Sequence, residues 1–241
     1  MNGRYERELA LIERRLAELG IMGKITRSTV LRNLALKGWF EEELTKGAKT
    51  VIAVGDDHTL QRLITCAQNV PGKKVVLGFI PLGKENHLAP LLHIPMGKEA
   101  CDLVARRLIR RCDVGKVNEY CFISSCTVRI QPGDTILADH QWTIGVPRPA
   151  RLTLYNSGEF VIREQQHVAH VDDGLLEGVI AVPQSALALG ASERSYFSAT
   201  HVTFRRESDI YCTYDSEECF ARELSITVVS QAVSLIVGSG V

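Results

Sequence analysis

Apolar and polar positions follow two different periods along this chain, and the period changes near residue 115. Before that point, apolar residues recur at helical spacing in several stretches, with charged residues between them. Leu9, Ile12, Leu16 and Leu19 form the clearest such stripe, and Gly20 follows where a helix often ends. The pattern predicts helices over residues 4–19, 29–46, 59–68 and 98–111.

Compact apolar runs lie between these helices. TVIAVG at 50–55 and KVVLGFI at 74–80 are rich in β-branched residues, as is typical of strands buried on both faces. The short run at 21–26 is a further candidate strand. Because strands and helices alternate, we expect an open, mostly parallel α/β sheet with helices on both faces.

Beyond residue 115 the chain carries many short alternating runs separated by turn signals such as Pro132-Gly133 and Asp173-Gly174. Such spacing favours an antiparallel β-sandwich. We therefore predict an α/β domain over 1–115 and a β-sandwich domain over 116–224. The segment 225–237 is expected to return and pack beside the sheet of the first domain.

Composition narrows the function classes. Lys plus Arg and Asp plus Glu both number 28, so the net charge is zero. This argues against nucleic-acid binding through bulk positive charge and leaves room only for a local basic patch. No apolar run reaches the roughly 18 residues that a membrane-spanning helix needs. The seven cysteines form no C-x-x-C pair, which is typical of reduced thiols in a cytoplasmic protein.

Polar turns follow the two buried strands, in VGDDHT and in IPLGKENHLA. In open α/β sheets ligands bind at the carboxyl ends of the strands, and a helix N-terminus there suits a phosphate group. Taken singly, each segment also fits a plain strand–turn–helix connection. His58 and His87 on these turns could be metal ligands or ordinary exposed loop histidines, and their spacing does not decide.

Together, the two segments resemble the catalytic domain of the diacylglycerol kinase and sphingosine kinase family. That family carries G-G-D-G-T after one strand and P-L-G-T-G-N-D-F-A after the next. Later landmarks follow in the same order, namely CDVGKVN at 112–118, DDGLLE at 172–177 and YDSE at 214–217. The resemblance therefore covers nearly the whole chain.

The resemblance implies an enzyme that transfers the γ-phosphoryl group of ATP to a lipid hydroxyl with Mg²⁺, in a cleft between an ATP-binding domain and a β-sandwich. Asp173 would be the base that takes the hydroxyl proton. Asp57, Asp215 and Glu217 would belong to the metal-linked network. The implied nucleotide-binding residues are Gly55, Asp57, Thr59, Pro81, Gly83 and Asn86.

This chain departs from the family pattern where the phosphates would lie. The family glycines are replaced by Asp56 and His58, although glycine brings bare backbone close to a phosphate. Aspartate tolerates left-handed backbone geometry better than most residues, so the fold is expected to survive the replacement at Asp56. Further departures are Arg62, Lys84 and Glu85. We therefore expect phosphoryl transfer to be weakened or lost.

Three functions remain open: a working lipid kinase, a non-catalytic binding or assembly module on the same fold, and a phosphotransferase with a non-lipid acceptor, as in the related NAD kinases. The expected partner is a lipid at a membrane surface, with the protein cytoplasmic and peripheral to that membrane. Because the chain begins at its first helix, the sheet is expected to lack the family's first strand. Its open edge would then support a homo-oligomer.

Overall fold

The computed structural model describes residues 3–26, 33–70, 74–83, 86–162, 164–183, 193–215 and 217–239. The chain divides into two compact units. Unit 1 comprises residues 1–112 and 232–241, and unit 2 comprises residues 113–231. The long strands β3 (Ile109–Val117) and β14 (Glu217–Ile236) have residues in both units.

Unit 1 is an α/β unit around a parallel sheet. Its other elements are α1 (Gly3–Glu18), α2 (Asn33–Thr45), β1 (Thr50–Gly55), α3 (Asp57–Gln68), β2 (Val76–Pro81), α4 (Leu88–Leu91) and α5 (Glu99–Arg106).

Strand β2 is the centre of this sheet. It pairs in parallel with β1 along its whole length, and Ser234 and Leu235 of β14 pair in parallel with its other edge. The sheet carries apolar side chains that are almost fully enclosed, among them Leu77, Phe79 and Ile80. Within the described residues, β1 ends the strand path. The expected self-association through this edge stays a prediction.

The helices of unit 1 confirm most of the sequence pattern and correct two details. Residues 21–26 form neither helix nor strand, so the short strand expected there is wrong; no neighbouring strand hydrogen-bonds with this run. The fourth helix ends at Arg106 rather than at residue 111. Arg107 adopts a left-handed backbone with φ of 56° and donates its N–H to the carbonyl of Leu103, which closes the helix. Residues 27–32, at the start of the predicted helix 29–46, lie outside the described residues.

Unit 2 is built from antiparallel strands. Its remaining strands are β4 (Tyr120–Phe122), β5 (Ser125–Ile130), β6 (Thr135–Ala138), β7 (Trp142–Gly145), β8 (Ala150–Tyr155), β9 (Gly158–Ile162), β10 (Gln165–Ala169), β11 (Leu176–Val182), β12 (Glu193–Ala199) and β13 (His201–Tyr214).

Six strands of unit 2 lie in the order β14-β13-β5-β8-β11-β12, and β9 and β10 form a separate two-stranded sheet. The hairpin of β9 and β10 packs Phe160 and Ile162 against Val179 of the larger sheet. The main core lies on β5, β8 and β13, where residues such as Val128, Leu152 and Cys212 are fully enclosed. The expected α/β plus antiparallel β-sandwich fold class is confirmed.

The cysteines depart from the sequence prediction. Cys212 and Cys219 face each other across β13 and β14 and form a disulfide, with Cα atoms 5.3 Å apart. The prediction of seven reduced thiols is therefore wrong for this pair, because strand register brings the two residues within disulfide range. The other five cysteines are buried and are not part of this disulfide. A cytoplasmic location stays a prediction.

None of the described helices is long and apolar enough to cross a membrane.

Candidate functional site

The turn after β1 is closed by its own side chains. Asp56 precedes α3 with φ of −91° and ψ of −179°, so its backbone is extended and does not need the left-handed geometry that glycine allows. Its Oδ1 accepts hydrogen bonds from the Thr59 backbone N at 3.0 Å and the Thr59 Oγ1 at 2.7 Å. Asp56 is therefore the N-cap of α3, and its carboxylate satisfies one of the amides that a helix N-terminus leaves open.

Thr59 also fills the space beside Gly55. A Cβ atom at Gly55 would lie 2.5 Å from Thr59 Oγ1, so only glycine leaves room for the threonine. The carbonyl of Gly55 in turn accepts the N–H of Leu82 at 2.6 Å. Gly55, which would bring bare backbone to a phosphate, is thus packed against the side chain of Thr59 on the helix that follows it.

Asp57 connects the turn after β1 to the turn after β2. The carboxylate is buried and accepts hydrogen bonds from the backbone N of His87 at 2.5 Å and of Leu88 at 3.1 Å. Burial raises the pKa of Asp57, and these two hydrogen bonds oppose the rise. Both carboxylate oxygens therefore bind protein amides at the start of α4.

The turn after β2 is covered from α1. Gly83 has a left-handed backbone with φ of 101°, and the position of a Cβ there would lie 3.1 Å from Tyr5 Oη. Asn86 donates from Nδ2 to the carbonyl of Gly83 at 3.3 Å, while its buried Oδ1 has no partner in the described part of the chain. Pro81 is the buried last residue of β2. Lys84 and Glu85 lie outside the described residues.

The remaining sequence candidates of unit 1 lie nearby. His58 and His87 are exposed. Arg62 is half-buried on α3, where its positive charge lowers the pKa of the Cys66 thiol and so opposes the larger increase caused by burial. Over the ranges that the structure describes, no three His, Cys, Asp or Glu side chains gather as a metal site.

These contacts test whether ATP and Mg²⁺ fit the loops of unit 1. A polyphosphate needs open amides and bare glycine backbone, and a metal ion needs free carboxylate oxygens. Here the N–H of Thr59 binds Asp56, and the oxygens of Asp57 bind two amides. Thr59 and Tyr5 occupy the glycine faces. As they stand, the loops do not fit the polyphosphate cradle that the resemblance implies.

In unit 2, the residue expected to be the base lies on an exposed turn. Asp173 Oδ1 accepts the N–H of Leu175 at 2.9 Å, which fixes a local turn. Partial burial raises the pKa of Asp173, and the negative charges of Glu177 and Asp113 add to the rise. A raised pKa suits an acid–base group, and the role of Asp173 as base stays a prediction.

Sequence reasoning missed the residue that holds this turn. Asp113 is fully enclosed, and its carboxylate accepts the N–H of Gly174 and the N–H of Gln231, both at 2.6 Å. It lies in the CDVGKVN run that resembles the family's passage between domains. The run marks the position, but only the fold shows that Asp113 joins three separate segments.

Glu177 was also missed. It is buried on β11 and accepts hydrogen bonds from Tyr196 Oη and, at 2.8 Å, from Ser198 Oγ. Burial raises the pKa of Tyr196, and the hydrogen bond to the Glu177 carboxylate adds to the rise. Its place in the DDGLLE run was the signal that could have found it.

Asp215 occupies the turn between β13 and β14 with φ of 48°. Its carboxylate accepts the backbone N–H groups of Ile123, Ser124 and Ser125 at 2.9, 2.8 and 3.2 Å. Asp215 therefore holds the start of β5 to this turn. Glu217 is the half-buried first residue of β14. A metal role for Asp215 and Glu217 stays a prediction.

Comparisons with known proteins agree with the fold. Residues 2–117 match the diacylglycerol kinase catalytic domain. The curated relatives "Probable lipid kinase YegS-like" of Yersinia pestis (strain Pestoides F) and of Yersinia pseudotuberculosis serotype O:1b (strain IP 31758) are each 35% identical over 94 residues. Each match covers 38% of this chain and 32% of the relative's length.

Among solved structures, one of the diacylglycerol kinases of Bacillus anthracis str. Sterne superposes with a TM-score of 0.74 at 16% identity. The alignment covers 98% of this chain and 92% of that chain. A second structure from the same organism gives 0.76 at 15% identity. At such low sequence identity, these superpositions show only the fold. The family match and the motifs relate residues 2–117 to a catalytic domain. Over residues 2–117 this chain is similar to the catalytic domain of the diacylglycerol kinases, and over 94 residues it is similar to curated lipid kinase relatives.

Proposed function

We propose that this protein is a lipid kinase relative in which ATP-dependent phosphoryl transfer to a lipid hydroxyl is weakened or lost. On this proposal the two units form a non-catalytic binding module that acts in the cytoplasm at a membrane surface. The observation that carries the proposal is the carboxylate of Asp56, which caps α3 through Thr59 at the position of a family glycine.

Electrostatics support this proposal. A carboxylate about 4 Å from a phosphate costs on the order of 4 kcal/mol at an effective dielectric near 20. The cap also uses the N–H of Thr59, which would otherwise be available to an anion at the helix N-terminus. His58 adds an imidazole on the first turn of α3, where the family has no side chain.

A titration with ATP and Mg²⁺ tests the proposal. The unmodified chain should show no thermal stabilisation at millimolar nucleotide, whereas a ligand at about 100 times its Kd adds roughly 2.7 kcal/mol. The double change Asp56→Gly, His58→Gly should strengthen ATP binding at least tenfold, or about 1.4 kcal/mol. Transfer of labelled phosphate to diacylglycerol in vesicles need not return, because Arg62 still departs from the pattern.

A matched control removes the same two residue types from another turn. Asp139→Gly, His140→Gly acts on a turn of unit 2 where both residues have positive φ, which glycine adopts readily. This control should leave ATP binding unchanged. Tight ATP binding by the unmodified chain, or efficient phosphate transfer to lipid, would overturn the proposal and favour a working kinase.

A further inference from the structure

Two histidines of unit 2, His140 and His201, lie ring beside ring, with centroids 4.4 Å apart and planes tilted by 43°. His140 is exposed in the turn between β6 and β7, and His201 is the half-buried first residue of β13. The fold therefore brings together two imidazoles that are far apart in the sequence. We call these two residues the histidine pair.

Asp139 ties together the two backbone segments that carry the histidine pair. Its Oδ1 accepts the N–H of His201 at 2.9 Å, and also the N–H and the hydroxyl of Thr200 at 2.9 and 2.8 Å. In the other direction, the N–H of Asp139 donates to the carbonyl of His201 at 2.8 Å. Because these hydrogen bonds lie directly beside the two rings, the local fold fixes the distance between the segments.

A neighbouring hydroxyl orients one ring of the pair. His201 Nε2 lies 3.0 Å from Ser225 Oγ, at hydrogen-bond distance. When Nε2 carries the proton and donates to Ser225, Nδ1 keeps its lone pair and is the nitrogen that a metal ion binds. Histidines that bind metals commonly donate their second ring N–H in this way, which holds the ring in place. The contact with Ser225 therefore suits a metal ligand.

The spacing of the rings fits two adjacent positions around one ion. A bond of about 2.0 Å from an imidazole nitrogen places a metal roughly 3.1 Å from the ring centroid. With the centroids 4.4 Å apart, the two bonds then meet at about 90°. Neighbouring ligands of tetragonal Cu²⁺ make this angle, whereas tetrahedral Zn²⁺ needs about 109° and more widely spaced rings. Because His140 is exposed, its ring rotates readily to direct a nitrogen at the ion.

We propose that the histidine pair chelates a divalent transition-metal ion, with Cu²⁺ bound most tightly and water at the remaining positions. Imidazole is a good ligand for Cu²⁺, Ni²⁺ and Zn²⁺, and Cu²⁺ has the highest affinity of the three. Over the described ranges, no third His, Cys, Asp or Glu completes a cluster, so the protein supplies two ligands. Such a site leaves coordination positions open to solvent, which allows the ion to exchange.

This site differs in chemistry from the Mg²⁺ network that the family resemblance implies. Mg²⁺ prefers oxygen ligands, and the histidine pair offers nitrogen. The pair also belongs to unit 2, whereas the nucleotide loops belong to unit 1. Binding of Cu²⁺ is therefore measured independently of whether ATP binds.

Isothermal titration of the full chain with CuCl₂ tests the proposal. His140→Asn and His201→Gln should each weaken the tightest Cu²⁺ site at least tenfold. The double variant should be no weaker than either single variant, because losing one ring already destroys the chelate. Asparagine is chosen at His140 because it tolerates the positive φ of that residue. The matched control, His170→Asn, removes another exposed histidine of unit 2 and should leave binding unchanged.

Other ions test the chemistry of the site. ZnCl₂ should bind the wild type at least tenfold more weakly than CuCl₂, and MgCl₂ should not bind the pair. Equal binding of MgCl₂ and CuCl₂ would exclude an imidazole site and overturn the proposal. So would the absence of Cu²⁺ binding by the wild type.

Trp142 provides a second readout that is independent of heat. Its side chain is 68% exposed and lies two residues after His140, at the start of β7. Bound Cu²⁺ quenches the emission of a nearby indole, whereas Zn²⁺ has a filled d shell and no redox chemistry. One equivalent of Cu²⁺ should therefore quench the wild type, and His140→Asn should abolish this quenching.

Two results with the folded variants would also contradict chelation, and circular dichroism confirms that each variant is folded. Losses of the two single variants that add up in the double variant would mean that the rings bind separate ions. A loss in His170→Asn as large as that in His140→Asn would mean that any exposed histidine binds the ion equally well.

Discussion

Asp56 and Thr59 are joined by two hydrogen bonds, because Asp56 Oδ1 accepts both the backbone N–H and the hydroxyl of Thr59. Asp56→Ala should therefore lower the free energy of unfolding by about 1 kcal/mol. Asp56→Gly should lower it by only about 0.3 kcal/mol, because glycine is itself a fair N-cap residue. Urea unfolding measures both. Asp209→Ala, which removes an exposed carboxylate from β13, should change stability by less than about 0.5 kcal/mol. Equal losses in all three variants would mean that the cap does not stabilise α3.

The buried carboxylate of Asp57 makes stability depend on pH in a definite direction. Burial raises its pKa in the folded state, so between the unfolded and the folded pKa the folded chain binds more protons. The stability that this group contributes is present below the unfolded pKa and is lost as pH rises through the folded pKa. The unfolding free energy of the wild type should therefore fall relative to Asp57→Asn as pH increases from 4 to 7. Chemical unfolding at several pH values measures this difference, and a difference that grows with pH would contradict the assignment.

Asp215 accepts hydrogen bonds from three backbone amides, which predicts a structural role that can be tested separately from metal binding. Asp215→Ala should lower the free energy of unfolding by about 2 kcal/mol, since amides that were hydrogen-bonded lose their acceptor. Amide exchange should rise at Ile123, Ser124 and Ser125. Asp215→Asn should cost less, because asparagine tolerates positive φ and keeps one acceptor oxygen.

Mg²⁺ distinguishes the two roles of Asp215. Millimolar MgCl₂ should leave the melting temperature of the wild type and of Asp215→Asn equally unchanged. A Mg²⁺-dependent stabilisation that disappears in Asp215→Asn would instead show that this carboxylate is a metal ligand, as the family resemblance implies.

The Cys212–Cys219 disulfide closes a short loop around the β13–β14 turn. Breaking it should lower the free energy of unfolding by about 2–3 kcal/mol, because the unfolded chain regains the freedom that the bond removes. Dithiothreitol should therefore destabilise the wild type but not Cys212→Ala, Cys219→Ala, which retains the five other buried cysteines. Mass spectrometry of the untreated protein after thiol alkylation should find the pair unmodified. Full alkylation of Cys219 without a reductant would show that the bond is absent.

The sequence was sufficient to predict the elements in which the pattern of apolar side chains indicates which faces are buried. TVIAVG and KVVLGFI are strands because β-branched and apolar residues fill both faces, and β1 and β2 lie where these runs predict. The stripe of α1 likewise predicts its helix, which spans Gly3–Glu18. The helix expected over 98–111 failed in its second half, since the left-handed residue that ends it is Arg107 and not a glycine.

The candidate site was predictable in position but not in contacts. The runs VGDDHT and DDGLLE located the turn after β1 and the turn before β11. This was possible because the motifs keep their order along the chain even where single residues are replaced. The cap of Asp56 on Thr59 spans only three residues and follows a known capping pattern, but the family comparison treated Asp56 only as the replacement of a glycine.

Only the tertiary structure decided what the buried carboxylates bind. Asp57 accepts hydrogen bonds from amides 30 and 31 residues away. Asp113 accepts the N–H of Gly174, 61 residues away, and the N–H of Gln231, 118 residues away. The same aspartate can bind a metal ion, a phosphate-linked water or a backbone amide, and its local sequence is alike in all three cases. The choice depends on which amides the returning chain brings within hydrogen-bond distance, and distance in space is not encoded by spacing along the sequence.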